Sequence, residues 1–165
     1  MKQKLHILWI LLLILLCACT ARQGTREEYS LYFTRNSLAS YGSAIAPQSW
    51  PGSGVPHKEE LMQALLAGPT EEGLTSPFPK GLSVKSLDVD ESGTMILLML
   101  SDHYSGLTDM AQTLADACIV MTLCQLPGIE AVEISTDGFW ASRPASRTLR
   151  PEQMELISLL PEDFP

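Results

Sequence analysis

Leu5 to Leu16 is a twelve-residue, predominantly apolar run, and the chain behaves differently from there on. Tyr29 to Arg35 alternates, with Leu31 and Phe33 on one face and Tyr32 and Thr34 on the other, which predicts a first strand. Asn36 to Val55 is rich in Gly, Ser, Ala and Pro. A short strand near Ser43 to Gln48, returning on the first, accounts for part of it, and the segment around Trp50-Pro51-Gly52-Ser53-Gly54 reads as loop. Pro56 to Gly68 predicts a helix. Pro56 suits its first turn, Glu59 and Glu60 its positive end, and Gly68-Pro69 its stop, while Leu61, Leu65 and Met62, Leu66 follow the i, i+4 spacing of a buried stripe.

Thr70 to Lys80 is a turn-rich connector. Leu82 to Asp90 alternates with a change of phase near Ser86, as a bulged strand does. Glu91-Ser92-Gly93 is a tight turn, and Thr94 to Leu100 is almost wholly apolar, as a central strand would be. Gly106 to Leu126 predicts a longer helix. Leu107, Met110, Leu114, Cys118 and Met121 form the stripe that faces the sheet, Thr108 or Ser105 is the cap, and Pro127-Gly128 the end. Ala131 to Thr136 alternates as a strand, Asp137-Gly138 turns, and Phe139 to Ser142 reads as a short return strand. The pattern fades from Arg143, and Pro151 to Leu160 supplies a last amphipathic turn or two. These elements predict an α+β, two-layer sandwich: a mostly antiparallel sheet with two helices on one face, in the order β-(β)-α-β-β-α-β.

The apolar run at the start is too short to span a bilayer, which takes about 20 residues, and fits the core of a signal peptide behind Lys2 and Lys4. It ends Leu16-Cys17-Ala18-Cys19, which resembles a bacterial lipobox. In that reading the thiol of Cys19 carries a diacylglycerol. The alternative is an ordinary cleavage that leaves Cys19 a free thiol. Residues 20–28 are polar and read as a tether, at most about 30 Å long when extended. The organisation expected is therefore a signal peptide over 1–18, a lipidated cysteine and tether over 19–28, a folded domain over 29–142 and a C-terminal extension over 143–165. Localisation on the extracytoplasmic face of the cell membrane follows from the same residues.

Charge narrows the partners. The chain carries a formal charge of -8, and loss of Lys2 and Lys4 with the leader leaves nine basic side chains against nineteen acidic ones. That balance argues against nucleic acid and against a polybasic contact with anionic lipid. Candidate chemistry is sparse. Cys118 and Cys124 sit six apart on one helix, where they neither bridge nor match a metal-ligand spacing, and read as core thiols. Ser101-Asp102-His103-Tyr104 joins a central strand to a helix, a place where sites lie, yet adjacent side chains diverge and no nucleophile elbow is present. His57 is expected to be exposed. Asp88, Asp90 and Glu91 lack calcium-loop spacing. Trp50 and Trp140 are either partner-binding aromatics or core packing. No catalytic, metal or cofactor site is expected.

Three stretches carry a family resemblance. They are Leu65-Leu66-Ala67-Gly68-Pro69-Thr70-Glu71-Glu72-Gly73-Leu74; then Pro79-Lys80-Gly81 ahead of the hairpin; then Leu126-Pro127-Gly128-Ile129-Glu130-Ala131-Val132-Glu133-Ile134, closing on Asp137-Gly138. In this order the chain resembles a GerMN domain over roughly residues 29–140, with a longer, more Gly- and Ser-rich segment at 36–55. The resemblance implies a non-catalytic binding or scaffolding module of sporulation and germination lipoproteins, and transfers no binding residues. The function expected is docking of an envelope protein partner. The alternative is a ligand-sensing lipoprotein that binds peptidoglycan or a small molecule. A cell-wall hydrolase finds no acid/base pair here.

Overall fold

The computed structural model describes residues 28–36, 43–137 and 146–158, the last with side chains as far as Met154. Alternation in β1 (Ser30–Arg35) buries Leu31 and Phe33. β2 (Ile45–Ser49) returns antiparallel on it, from Ser30↔Ser49 to Thr34↔Ile45. Helix α1 (Lys58–Ala67) follows His57 and buries Leu61, Met62 and Leu65, while Pro56 stands just ahead of the helix rather than in its first turn. The Glu60 side chain accepts from the His57 N–H at 2.9 Å, which satisfies one of the free amides at the helix entrance. The two-residue strand β3 (Leu74–Thr75) pairs with the far end of β1.

β4 (Val84–Val89) and β5 (Met95–Leu100) form the expected hairpin, with the register shift between Val84 and Ser86 that the phase change predicts. Asp90 fixes its turn: Oδ1 accepts from the N–H of Thr94 at 3.1 Å and of Met95 at 2.9 Å, and Oδ2 from Ser92 Oγ at 2.6 Å. The Ser92 hydroxyl and the Met95 N–H hold the Asp90 carboxyl below its usual range. The Asp90 carboxylate thus serves the geometry of the turn. A 3-10 turn (Asp102–Gly106) leads to helix α2 (Asp109–Leu123), and the chain continues through β6 (Ala131–Thr136), β7 (Ser146–Leu149) and α3 (Pro151–Ser158).

The α+β architecture read from the pattern is present, with its strands divided between two sheets: β2-β1-β3 and β4-β5-β6-β7. The first is antiparallel. In the second, β5 and β6 run parallel, because a helical crossover joins them, and the flanking pairs are antiparallel. Helix α2 packs on β1 and on β6, and α1 and α3 both pack on α2, so one core joins both sheets.

Side chains from the last turn of α2 and from just past its end close the edge of β1. Beyond the short β3, the Gln125 Oε1 accepts from the N–H of Ser30 at 2.9 Å and its Nε2 donates to the carbonyl of Ser30 at 2.8 Å. Thr122 Oγ1 accepts from the N–H of Tyr32 at 3.0 Å. A glutamine amide here stands in for the backbone of a missing neighbour strand, which is why the sheet ends at β1 over these residues.

Three details depart from the pattern. The α2 stripe is shifted. Met110 is 71% exposed, Leu107, Leu114 and Met121 only partly cover the core, and the fully buried face runs through Ala115, Cys118, Ile119, Thr122 and Leu123. The helix also starts at Asp109, after the 3-10 turn, with Thr108 in the extended conformation of a cap. Finally, the residues expected as an extension supply β7, paired with β6 from Val132↔Leu149 to Ser135↔Ser146, and the buried Met154. The short return strand read at Phe139 to Ser142 lies outside the described residues.

Candidate functional site

Several polar side chains converge on one buried carboxylate. Asp116, on α2, is 6% exposed and accepts three hydrogen bonds: from Tyr104 Oη at 2.6 Å, from Arg147 Nε at 2.9 Å and from Arg147 Nη2 at 2.7 Å. Arg147 comes from β7 and Tyr104 from the 3-10 turn, so three elements meet at one carboxylate. The guanidinium also lies 5.8 Å from the centre of the Tyr104 ring. With its amide turned to suit, the Gln112 oxygen accepts from both terminal nitrogens of Arg147 at 3.1 Å. Burial, and then the charge of Asp116, push the Tyr104 phenol well above its usual range, so it remains a donor. Burial opposes the charge on Arg147, but the hydrogen bonds and charge of Asp116 outweigh it and raise its pKa. The phenol and two of the guanidinium nitrogens are thus aimed at one carboxylate inside the fold, while the Arg147 side chain stays 37% exposed. Among the described residues no buried side-chain nitrogen or oxygen lacks a partner.

The segment Ser101-Asp102-His103-Tyr104 diverges, as adjacent side chains must. Ser101 Oγ accepts from the N–H of Ser83 at 3.1 Å, tying the end of β5 to the start of β4. Asp102 Oδ1 accepts from Ser105 Oγ at 2.7 Å within the 3-10 turn. His103 is exposed beside Gly81, and Tyr104 points inward. No nucleophile, base and orienting acid share a line here.

Cys118 is buried, Cys124 is partly buried, and both are free. Burial pushes Cys118 up to about 12, and burial followed by the charge of Glu152 pushes Cys124 up to about 11, with Arg150 opposing. At pH 8 both are thiols shielded from solvent. Iodoacetamide followed by peptide mapping is expected to label neither in the folded chain and both in urea; labelling of Cys118 in the folded chain at the urea rate would contradict its place in the core. The sign for stability follows. An unfolded thiol ionises near pH 9 while the folded ones hold their protons, so stability falls as pH rises from there towards 11 or 12. Among the described residues no group of His, Cys, Asp and Glu is placed to hold a metal ion.

The Gly-Pro-Thr stretch is a fold joint. Gly68 ends α1 at φ 91°, a conformation that side chains rarely adopt, and Pro69 offers no N–H. The next two amides, of Thr70 and Glu71, both donate to Gln48 Oε1, at 2.7 and 3.0 Å. Gln48 is buried on β2, so this contact fixes the exit of α1 against the first sheet.

On the surface, α1 is flanked by two depressions. One, of about 360 Å³, runs between Trp50, Pro51 and Gly52 and the α1 residues Glu60, Gln63 and Ala64. Trp50 packs edge-on to Tyr29 at 6.4 Å, and Gly52 lies so close over its ring that a Cβ there would fall 2.0 Å from it. Trp50 thus serves packing first. The other depression, of about 400 Å³, lies between α1 and β4 and is mostly apolar. Cys19 and Trp140 lie outside the described residues, and His57 is exposed at the α1 entrance. Sequence reading misses the Asp116 cluster because Arg147 falls where the pattern fades. The available signal is an acidic residue between two alanines in the most apolar helix of the chain.

Among the described residues, no helix is long and apolar enough to cross a membrane. No curated protein matches the chain. Several solved structures share its fold, three of them as follows. A Clostridium perfringens protein described as a lipoprotein is 21% identical, with a TM-score of 0.50 over 80% of this chain and 92% of its own. The first GerMN domain of the sporulation protein GerM from Bacillus subtilis is 18% identical, with a TM-score of 0.54 over 70% of this chain and 86% of its own. The tandem GerMN domains of the same protein give 16% and 0.53, over 70% of this chain and 41% of theirs, so this chain spans less than half of the pair. At these identities the likeness is one of fold. The family model described as sporulation and spore germination matches residues 30–140, and the chain belongs to that family, Germane.

Proposed function

We propose that the chain is an envelope lipoprotein, anchored through a lipid on Cys19, that docks a protein partner in sporulation or germination and performs no chemistry of its own. One observation carries the reading. The polar groups that converge, Tyr104, Asp116, Arg147 and Gln112, are spent on one another, whereas strand edge and apolar groove are left on the surface. A likeness in fold to a lipoprotein and to GerMN domains supports the anchored, sporulation-linked setting. A tether of residues 20–28 keeps the domain close to the bilayer, where raised local concentration lets a weak contact suffice.

Two experiments test it. Cys19→Ala is expected to abolish lipid labelling and leave a precursor that retains its leader; a variant processed and membrane-bound like the wild type would sink the anchor. For the inert body, Asp102→Ala and His103→Ala are expected to leave envelope function in a sporulation assay nearly intact, while charge placed on the docking face impairs it. Loss of function from either loop variant, in a folded and anchored protein, would move the 101–104 segment to the head of the candidate active sites.

A further inference from the structure

The sheet edges of this fold are guarded unequally. The edge of β1 is closed by Gln125 and Thr122. β2 carries Pro47, which has no N–H to offer an added strand. β7 is only four residues long. β4 has six residues, no proline, and a bulge that disturbs only its first turn of pairing, between Val84 and Ser86. The N–H of Asp90 donates to Met95 at 2.9 Å across the hairpin. Antiparallel bonding alternates from there, so Asp88 and Ser86 bond to β5, and the N–H and C=O groups of Leu87 and Val89 face outward. Val89 is 42% exposed. Beside this edge runs the groove of about 400 Å³, walled by Met62 and Leu66 of α1 and by Leu82, Val84 and Leu87. A free strand edge next to an apolar groove under a helix is the arrangement by which a domain takes an extended peptide as an extra strand: backbone bonds hold the chain, and the groove takes alternate side chains.

Charge selects the occupant. Lys58 is engaged by Glu59 and Lys85 by Asp137, whereas among the described residues no cation pairs with Asp88 or Glu91, both exposed at the hairpin end of the edge. The chain as a whole stands at -8, so a second copy brought to this edge meets like charge, and a basic segment meets attraction. We propose that the β4 edge and the α1 groove receive an extended segment of a partner protein, with apolar side chains alternating with Lys or Arg, as an added strand. This rests on the docking reading and names its surface.

The test uses the full-length chain in detergent micelles and, as probe, a fluorescent peptide alternating valine and lysine. Saturable binding by anisotropy is expected, with slowed amide exchange at Leu87 and Val89. Val89→Pro removes an outward N–H without taking a bond from the hairpin, and Leu66→Arg places charge in the groove; each is expected to weaken binding roughly tenfold, about the loss of one or two hydrogen bonds. Methylating the backbone nitrogens of the peptide probes the same contact with the protein unaltered, and is expected to cost as much. Replacing the lysines with glutamates is expected to abolish binding. Equal binding by the methylated peptide would overturn strand addition, and equal binding by the glutamate peptide would overturn the basic partner. Sedimentation showing chains paired through this edge, abolished by Val89→Pro, would replace the partner with a second copy and overturn the assignment. In the sporulation assay, normal function in both β4-groove variants alongside failure of a charged variant at the Trp50 cleft would sink this surface and leave docking standing.

Discussion

Asp116→Ala is expected to destabilise the chain by about 3 kcal/mol, the lower end of what breaking a buried ion pair costs. The lower end applies because the Arg147 side chain is 37% exposed and water can solvate part of the charge it leaves. The Tyr104 hydroxyl has no such relief: Tyr104 is fully buried and its donor loses its only described acceptor. In urea unfolding monitored by circular dichroism, the midpoint should fall with little change in slope. Arg147→Ala should cost at least as much, because it leaves the Asp116 carboxylate, the more buried of the two charges, with the phenol as its one remaining described donor. The double variant should cost less than the sum of the two, since its members share one network. A loss for Asp116→Ala within about half a kcal/mol, the range of ordinary surface positions, would mean that the cluster does not hold β7 to the helix. The same cluster has an alkaline signature. An unfolded tyrosine loses its proton near pH 10 while Tyr104 retains its own, so the unfolded chain binds fewer protons there and stability drops as pH rises past that value. Tyr104→Phe should flatten that part of the profile.

How far the sequence reveals such contacts depends on their range. Punctuation is local, and it was legible: Gly68-Pro69 ends α1, Glu91-Ser92-Gly93 turns the hairpin, and the phase change at Ser86 is the bulge. Strand alternation in β1 and β6 also survives, because a half-buried strand has one partner face. What was hidden is the division into two sheets. It goes with contacts of long range, such as Gln125 reaching Ser30 across 95 residues and Asp116 reaching Arg147 across 31. Nothing in the pattern marks a glutamine just past a helix end that will replace a strand. The β7 segment, Ser-Arg-Thr-Leu, was illegible for a related reason: it is an edge strand, exposed at Ser146 and Thr148, and its one distinctive residue is oriented by a partner on another element. The candidate surface was legible only in outline. An exposed strand edge follows from any hairpin at the margin of a sheet, whereas the groove beside it requires knowing that α1 lies against β4.

The phase of α2 gives the second large effect, and it separates periodicity from packing. The stripe at 107, 110, 114, 118 and 121 follows helical spacing as well as the buried set does, because apolar residues surround most of this helix. A helix apolar on most sides lies between layers rather than on one. That is its position here, with β1 on one side, β6 on another, and α1 and α3 against it. Burial then ranks the substitutions. Ile119 is fully buried among the residues that join both sheets, so Ile119→Ala is expected to cost about 3 to 4 kcal/mol, within the usual range for a buried isoleucine. Leu114 only partly covers the core, and Leu114→Ala should cost about 1 to 2 kcal/mol, below the full cavity cost. Met110→Ala should change stability by less than about half a kcal/mol, as at other exposed sites. The order, more than any one value, is the measurement to make, by urea unfolding of the three variants side by side. If Leu114→Ala proves costlier than Ile119→Ala, the helix is rotated from its placement here. The polar contacts that depend on that rotation, Thr122 and Gln125 on β1 and Asp116 on Arg147, would then fall with it.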